Sequence, residues 1–245
     1  SNRYSLEAIE EIYEGIKLAC DKYKVDLVGG DTTSSQSGLI ISMTIVGEAN
    51  KNEIVYRNGA LENDLVCVSG NLGAAYIGLL VLEREKRVFK ANPEIQPDLE
   101  GNDYILQRQL KPEARADIIR ALNENSIKPT SMIDISDGLA SEILHICKQS
   151  NKGCQIYEEK IPIDAETALK AEEFKILPTV AALNGGEDYE LLFTIKQSDY
   201  EKIKNIKNIS IIGHITEYSS GVHLITSSGN AIPITAQGWD GLKNR

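Results

Sequence analysis

Histidine, cysteine and tryptophan are scarce: the 245 residues hold three, four and one of them. His145, His214 and His223 stand apart along the chain, so neither histidine-centred catalysis nor a histidine metal site is expected. Cys20, Cys67, Cys147 and Cys154 show no CxxC spacing and sit in or beside apolar segments, which reads as packed free thiols. No apolar stretch approaches the roughly 20 residues needed to cross a bilayer. The first residues lack a basic segment followed by a hydrophobic core, so a cytoplasmic location is expected. No run of Lys and Arg forms a basic stripe, and 26 basic against 36 acidic residues leave a formal charge of −10. Such a surface repels phosphate backbones and anionic lipid, so no nucleic acid and no membrane partner is expected. An anionic small substrate would need divalent cations to approach it.

What remains is ordinary for a globular protein, with 42% hydrophobic and 25% charged residues. Ser5 precedes apolar residues at helical spacing, Leu6, Ile9, Ile12, Tyr13, Ile16, Ala19, Cys20 and Tyr23, predicting a capped amphipathic helix. Val25 to Val28 and the β-branched run Leu39 to Ala49 read as strands on either side of "GGDTTSS". One helix and two strands cannot close a core, so these residues are expected to be part of a larger unit. A boundary near residue 58 divides a remnant N-terminal domain, residues 1–58, from a C-terminal α/β domain, residues 59–245. There the pattern predicts a strand at Leu65 to Ser69, a helix from about Leu72 to Arg87, and helices near Tyr104 to Gln109 and Glu113 to Asn123. A strand at Ser131 to Asp134, a helix from Leu139, and strands at Gln155 to Tyr157, Tyr189 to Ile195, Ile209 to His214 and Val222 to Ile225 follow. Alternating helices and strands argue for a layered α/β or α+β fold.

Three acidic clusters stand out. "MIDISDGL" places Asp134 and Asp137 at a strand-to-helix junction, where α/β folds collect ligands; amides of Ser136, Asp137 and Gly138 could face a phosphate. Asp137 as a simple helix cap is the competing explanation. "GGDTTSS" puts Asp31 behind two glycines, suited to a metal or to a plain turn. "NGGEDYELLF" sets Glu187 and Asp188 at a strand entrance, where acids are disfavoured. Arg57 in "YRNGA" could hold a phosphate or be a solvated surface group. "SGNLGAAYIG" lacks the lysine of a phosphate loop and reads as a tight turn. Trp239 in "QGWDGL" could stack on a flat ligand or cover a core edge.

Taken in order, "LVGGDTT", "RNGA", "DISDGL", "GGEDYEL" and "GWD" resemble the thiamine-monophosphate kinase family, within the superfamily that includes aminoimidazole ribonucleotide synthetase. The resemblance implies a partial N-terminal ATP-binding domain of helix plus strands ahead of a C-terminal domain of the aminoimidazole ribonucleotide synthetase type. It implies transfer of the ATP γ-phosphoryl group to thiamine monophosphate with several Mg²⁺ ions. Asp31, Asp134 and Asp137 would be metal ligands, Arg57 and Ser136 ATP contacts, and Glu187 and Trp239 substrate contacts. No catalytic base is implied, because a phosphate acceptor is already ionised near neutral pH. It also implies a homodimer through the N-terminal domain. Family members carry a further N-terminal portion with a "GDD" motif, and no "GDD" occurs here. The chain alone is therefore expected to be impaired or inactive. Another acceptor in the same superfamily, or a non-catalytic nucleotide-binding module, are the alternatives.

Overall fold

The computed structural model describes residues 4–36 and 38–236. The chain divides into two compact units, Ser1–Asn50 and Lys51–Arg245, and each is described by itself.

In the first unit, α1 spans Leu6–Tyr23. The Ser5 hydroxyl accepts the Ala8 N–H at 3.3 Å, as its place before the apolar period predicted. The helix stops at Lys24, which takes a left-handed conformation with φ 56°. The strands expected at 25–28 and 39–49 do not form: no strand occurs among the described residues of this unit. Composition alone does not make a strand, because its N–H and C=O groups need a partner strand. The apolar side chains that would have been buried stay exposed, among them Val28, Ile40, Ile45 and Val46.

The second unit is built on a seven-stranded sheet. Its strands are β1 Leu65–Ser69, β2 Ser131–Asp134, β3 Gly153–Tyr157, β4 Leu191–Ile195, β5 Ile209–Thr216, β6 Val222–Ile225 and β7 Ala231–Pro233. They lie in the order β2-β4-β1-β5-β3-β6-β7. The pairings are antiparallel except β3 with β6. Helices α2 Ala74–Ala91, α3 Asp103–Leu110, α4 Ala116–Glu124, α5 Leu139–Ser150, α6 Ala165–Glu173, α7 Pro178–Asn184 and α8 Tyr200–Ile203 complete it.

Side chains alternate across a strand, and β1 shows the result. Val66 and Val68 join one core with Ile156, Leu192 and Ile212, closed by Leu139, Ile143 and Ile146 of α5. Cys67 faces the other way, with Phe193 and Ile195, against Ile118 and Leu122 of α4. The sheet therefore has a helix on each face, the layered α+β arrangement that the pattern predicted. A third core joins Ile77 and Val81 of α2 to Ile105 of α3, Ala171 and Ala181. Helices α6 and α7 were not expected; α7 starts on Pro178, a favoured first helical residue.

Candidate active site

β2 and β4 are antiparallel neighbours, with Asp134 opposite Leu191. Since "DISDG" leaves the end of β2 and "GGEDYE" leads into β4, the pairing lays one motif along the other. The Ile135 N–H donates to the Glu190 carbonyl at 2.7 Å, and the Tyr189 N–H to the Ile135 carbonyl at 2.9 Å. The Glu187 N–H donates to the Ser136 carbonyl at 2.8 Å. A Cβ on Gly186, whose φ is 70°, would lie 2.6 Å from the Ser136 carbonyl oxygen, so only glycine lets the segments approach this closely. Glu187 (φ 61°) and Tyr189 (φ 51°) are also left-handed, at about 1–3 kcal/mol each. That is why β4 begins at Leu191 and not at Tyr189.

Asp134, Asp137 and Glu187 are exposed, while Asp188 and Glu190 are buried. The Tyr189 hydroxyl donates to Glu187 Oε2 at 3.0 Å. Burial above all, then the bond to Glu187 and the charges of Glu187, Asp134 and Asp137, push the Tyr189 hydroxyl above its usual range. The exposed acids thus act on one shared neighbourhood. Helix α5 takes Gly138 as its N-cap, so Asp137 is not the cap. The Asp137 N–H is taken by Glu142 Oε1 at 3.1 Å, and the Ser136 hydroxyl reaches the same oxygen at 3.4 Å. Glu142 is 2% exposed. Its burial raises its pKa, and its Oε2 has no partner.

Among the described residues no group of three or more His, Cys, Asp or Glu side chains is arranged to hold a metal ion. Two exposed carboxylates beside a hydroxyl nonetheless suit magnesium, which binds one or two carboxylates and fills its octahedron with water and phosphate oxygens. The donors are all hard oxygens, so the residues fit the ion.

Arg57 is exposed. The preceding Tyr56 carbonyl accepts from the Met132 N–H at 2.9 Å, so the segment that carries Arg57 runs beside β2. Ser136 is half-buried on the loop itself. Asp31 is exposed and belongs to the first unit. Trp239 lies outside the described residues. Tyr189 and Glu142 were missed; Tyr189 stood inside a motif already singled out, whereas nothing local marks Glu142. A hollow of about 290 Å³ elsewhere on the sheet is lined by Tyr157, Lys160, Tyr200 and His214. No carboxylate lines it, so it is a poor place for cation-assisted chemistry.

Residues 2–49 match the AIR synthase related protein, N-terminal domain, and residues 63–225 match its C-terminal domain. The chain is 28% identical to the thiamine-monophosphate kinase of Bacillus subtilis (strain 168), over 99% of this chain and 72% of the relative. It is 33% identical to that of Pyrococcus horikoshii, over 97% of this chain and 68% of the relative. With that of Aquifex aeolicus (strain VF5) the identity is 37%, over 76% of this chain and 56% of the relative. The chain thus spans between 56% and 72% of the length of these curated relatives. A solved structure of AaThiL complexed with AMPPCP and TMP superposes with a TM-score of 0.75 at 27% identity, covering 97% of this chain and 69% of that one. HypE of E. coli, a hydrogenase maturation protein, gives 0.73 at 17% identity, covering 97% and 71%, and shares the fold alone.

Proposed function

The chain belongs to the AIR synthase related protein family, in its thiamine-monophosphate kinase branch, and from that premise we propose its reaction. The γ-phosphoryl group of ATP passes to the phosphate of thiamine monophosphate, giving thiamine diphosphate and ADP. The observation that carries the reading is the hydrogen-bonded apposition of the "DISDG" loop and the "GGEDYE" turn. It sets Asp134 and Asp137 beside Glu187 and Tyr189, at the end of a strand pair.

The attacking atom is a phosphate oxygen that is already ionised, so no side chain need remove a proton. In this reading Asp134 and Asp137 would hold magnesium, and Asp31 keeps the metal-ligand role that the family resemblance implies. Magnesium held there would supply charge neutralisation for two phosphate groups that otherwise repel each other. Ser136 and Arg57 orient the nucleotide through a hydroxyl and a guanidinium, the latter suited to phosphate oxygens. Glu187 faces the positively charged thiazolium, and Trp239 offers an aromatic face to the same cation. Residues 1–58 supply the ATP- and metal-binding part and a homodimer contact, consistent with the exposed Ile40, Ile45 and Val46. Residues 59–245 form the C-terminal domain. A cytoplasmic location is part of the proposal, and the formal charge of −10 disfavours a nucleic acid or anionic membrane partner. No helix among the described residues is long and apolar enough to cross a membrane.

The test is to supply the full-length protein with ATP, Mg²⁺ and thiamine monophosphate and to follow thiamine diphosphate and ADP. Turnover of thiamine monophosphate but not of free thiamine is expected. ATP binding without turnover would replace the proposal with a non-catalytic nucleotide-binding module, and turnover of a different acceptor with another reaction on the same fold.

A further inference from the structure

Beneath the exposed turn lies a buried ion-pair hub that the proposed reaction does not use. Glu190 is 1% exposed. Its Oε1 lies 3.0 Å from Arg108 Nη1, and its Oε2 accepts from Arg115 Nη1 and from the Ser69 hydroxyl. Asp188, also 1% exposed, accepts from the amides of Gly73 at 2.6 Å and Ala75 at 3.3 Å. It thereby caps α2, whose own N-cap residue is the side-chain-less Gly73. Arg108 Nη2 donates to the Asp188 carbonyl at 3.0 Å and lies 3.9 Å from its carboxylate. The loop after β1 is shaped around this hub, because a Cβ on Gly70 would collide with the Glu190 carboxylate.

Buried ion pairs are a poor way to gain stability, since removing the charges from water costs as much as their attraction returns. They are good at fixing a geometry, and here they fix an alternating one. Residues 188 and 190 point into the hub, while Glu187 is exposed and Tyr189 half-exposed beside the acids of the site. Left-handed residues persist only where their surroundings over-determine them. Arg108 of α3, Arg115 at the start of α4, Ser69 of β1 and the first turn of α2 supply that constraint from four separate elements.

We propose that Asp188, Glu190, Arg108 and Arg115 are positioning residues that hold the Glu187–Tyr189 turn in the conformation that recognises the cationic organic end of the phosphate acceptor. The inference rests on the reading of Glu187 as a substrate contact. The experiment therefore has one arm that needs no turnover.

In the full-length protein, Glu190→Gln keeps the size of the side chain and removes its charge. Amide exchange at Glu187 and Tyr189 should accelerate about tenfold or more, with Leu192 and Phe193 changed by less than about threefold, as for local rather than global opening. In the kinase assay, KM for thiamine monophosphate should rise about tenfold and KM for ATP less than about twofold, because one binding contact is misplaced. The KM effect should vanish in a Glu187→Gln background, and Arg115→Lys, which keeps charge without the planar fork, should give a smaller shift. Unchanged exchange at both amides, or both KM values rising together, overturns the inference. Absence of turnover in the wild type defeats the proposed reaction instead, and the exchange arm then decides the positioning role alone. Should Glu190→Gln not fold, Ser69→Ala removes one of the three partners of Glu190 and is read in the same way.

Discussion

Asp188 gives the sharpest quantitative test, through the pH dependence of stability. Burial raises its carboxyl from the usual 3.8 to about 6, and the Gly73 and Ala75 amides and Arg108 offset only part of this. The folded state thus holds the Asp188 proton more tightly than the unfolded chain does. Between these two values the native state binds more protons, so stability falls as pH rises. The contribution is fully present below about pH 4 and is lost as pH passes 6. With those two values, lowering pH from 7 to 5 should add about 1 kcal/mol from this one group, and lowering it to 4 about 2 kcal/mol. Other acids act oppositely. Asp117, for example, is held below its usual range, first by its bond to Arg115. The measurement is therefore a difference: urea unfolding of wild type and Asp188→Asn at pH 5, 6 and 7. Asparagine keeps an acceptor for Gly73 and does not titrate. Wild type should gain about 1 kcal/mol on the variant between pH 7 and 5. A flat difference, or one of opposite slope, would refute the account of Asp188 as a buried, costly anion.

Three further outcomes follow from the geometry. Gly186→Ala should destabilise the second unit by about 2 kcal/mol or more, from the positive φ and the contact with Ser136; an unchanged denaturation midpoint would show that the turn is free to move away. Phe193→Ala, at a fully buried position between β4 and α4, should cost about 3–5 kcal/mol, and a loss below about 1 kcal/mol would mean that the sheet face collapses onto the vacancy. Asp134→Asn and Asp137→Asn in the full-length protein should each lower the maximal rate about tenfold and raise the Mg²⁺ concentration needed for half-maximal rate; unchanged metal dependence in both would remove them as ligands.

Local pattern carried most of the second unit. Strand periodicity found β1, β2, β5 and β6 within a few residues, because alternating burial leaves its mark on side-chain type. The same logic misled in the first unit. Leu39 to Ala49 has the composition of a strand, yet strand formation depends on a neighbour that composition does not supply. Helices α6 and α7 escaped notice, although the equally short α3 and α4 were found. In the site, Asp134, Asp137 and Glu187 were legible because acids beside glycines at element junctions are chemically out of place. Arg108 and Arg115 were not. Each lies in an ordinary polar segment, and its partners on "GGEDYE" are set by the tertiary fold alone.

That division bears on how acceptor choice arises within the family. HypE of E. coli, a hydrogenase maturation protein, shares this fold with a TM-score of 0.73 at 17% identity, so the fold does not itself specify a function. The carboxylates at the end of β2 suit any reaction that brings a nucleotide phosphate to a second group, and they do not discriminate between acceptors. Discrimination then has to come from side chains that reach the non-phosphate end, the role proposed above for Glu187 and Tyr189. Both are flanked by the buried charges of Asp188 and Glu190 as well as hydrogen-bonded to the end of β2. If the hub holds them as proposed, acceptor preference can change through residues that never touch the acceptor, whereas the use of ATP and metal cannot. Exchanging Arg108 and Arg115 together with their acidic partners should therefore shift which acceptor is used before it abolishes phosphoryl transfer from ATP. Loss of both activities in parallel would place specificity and catalysis in one indivisible unit.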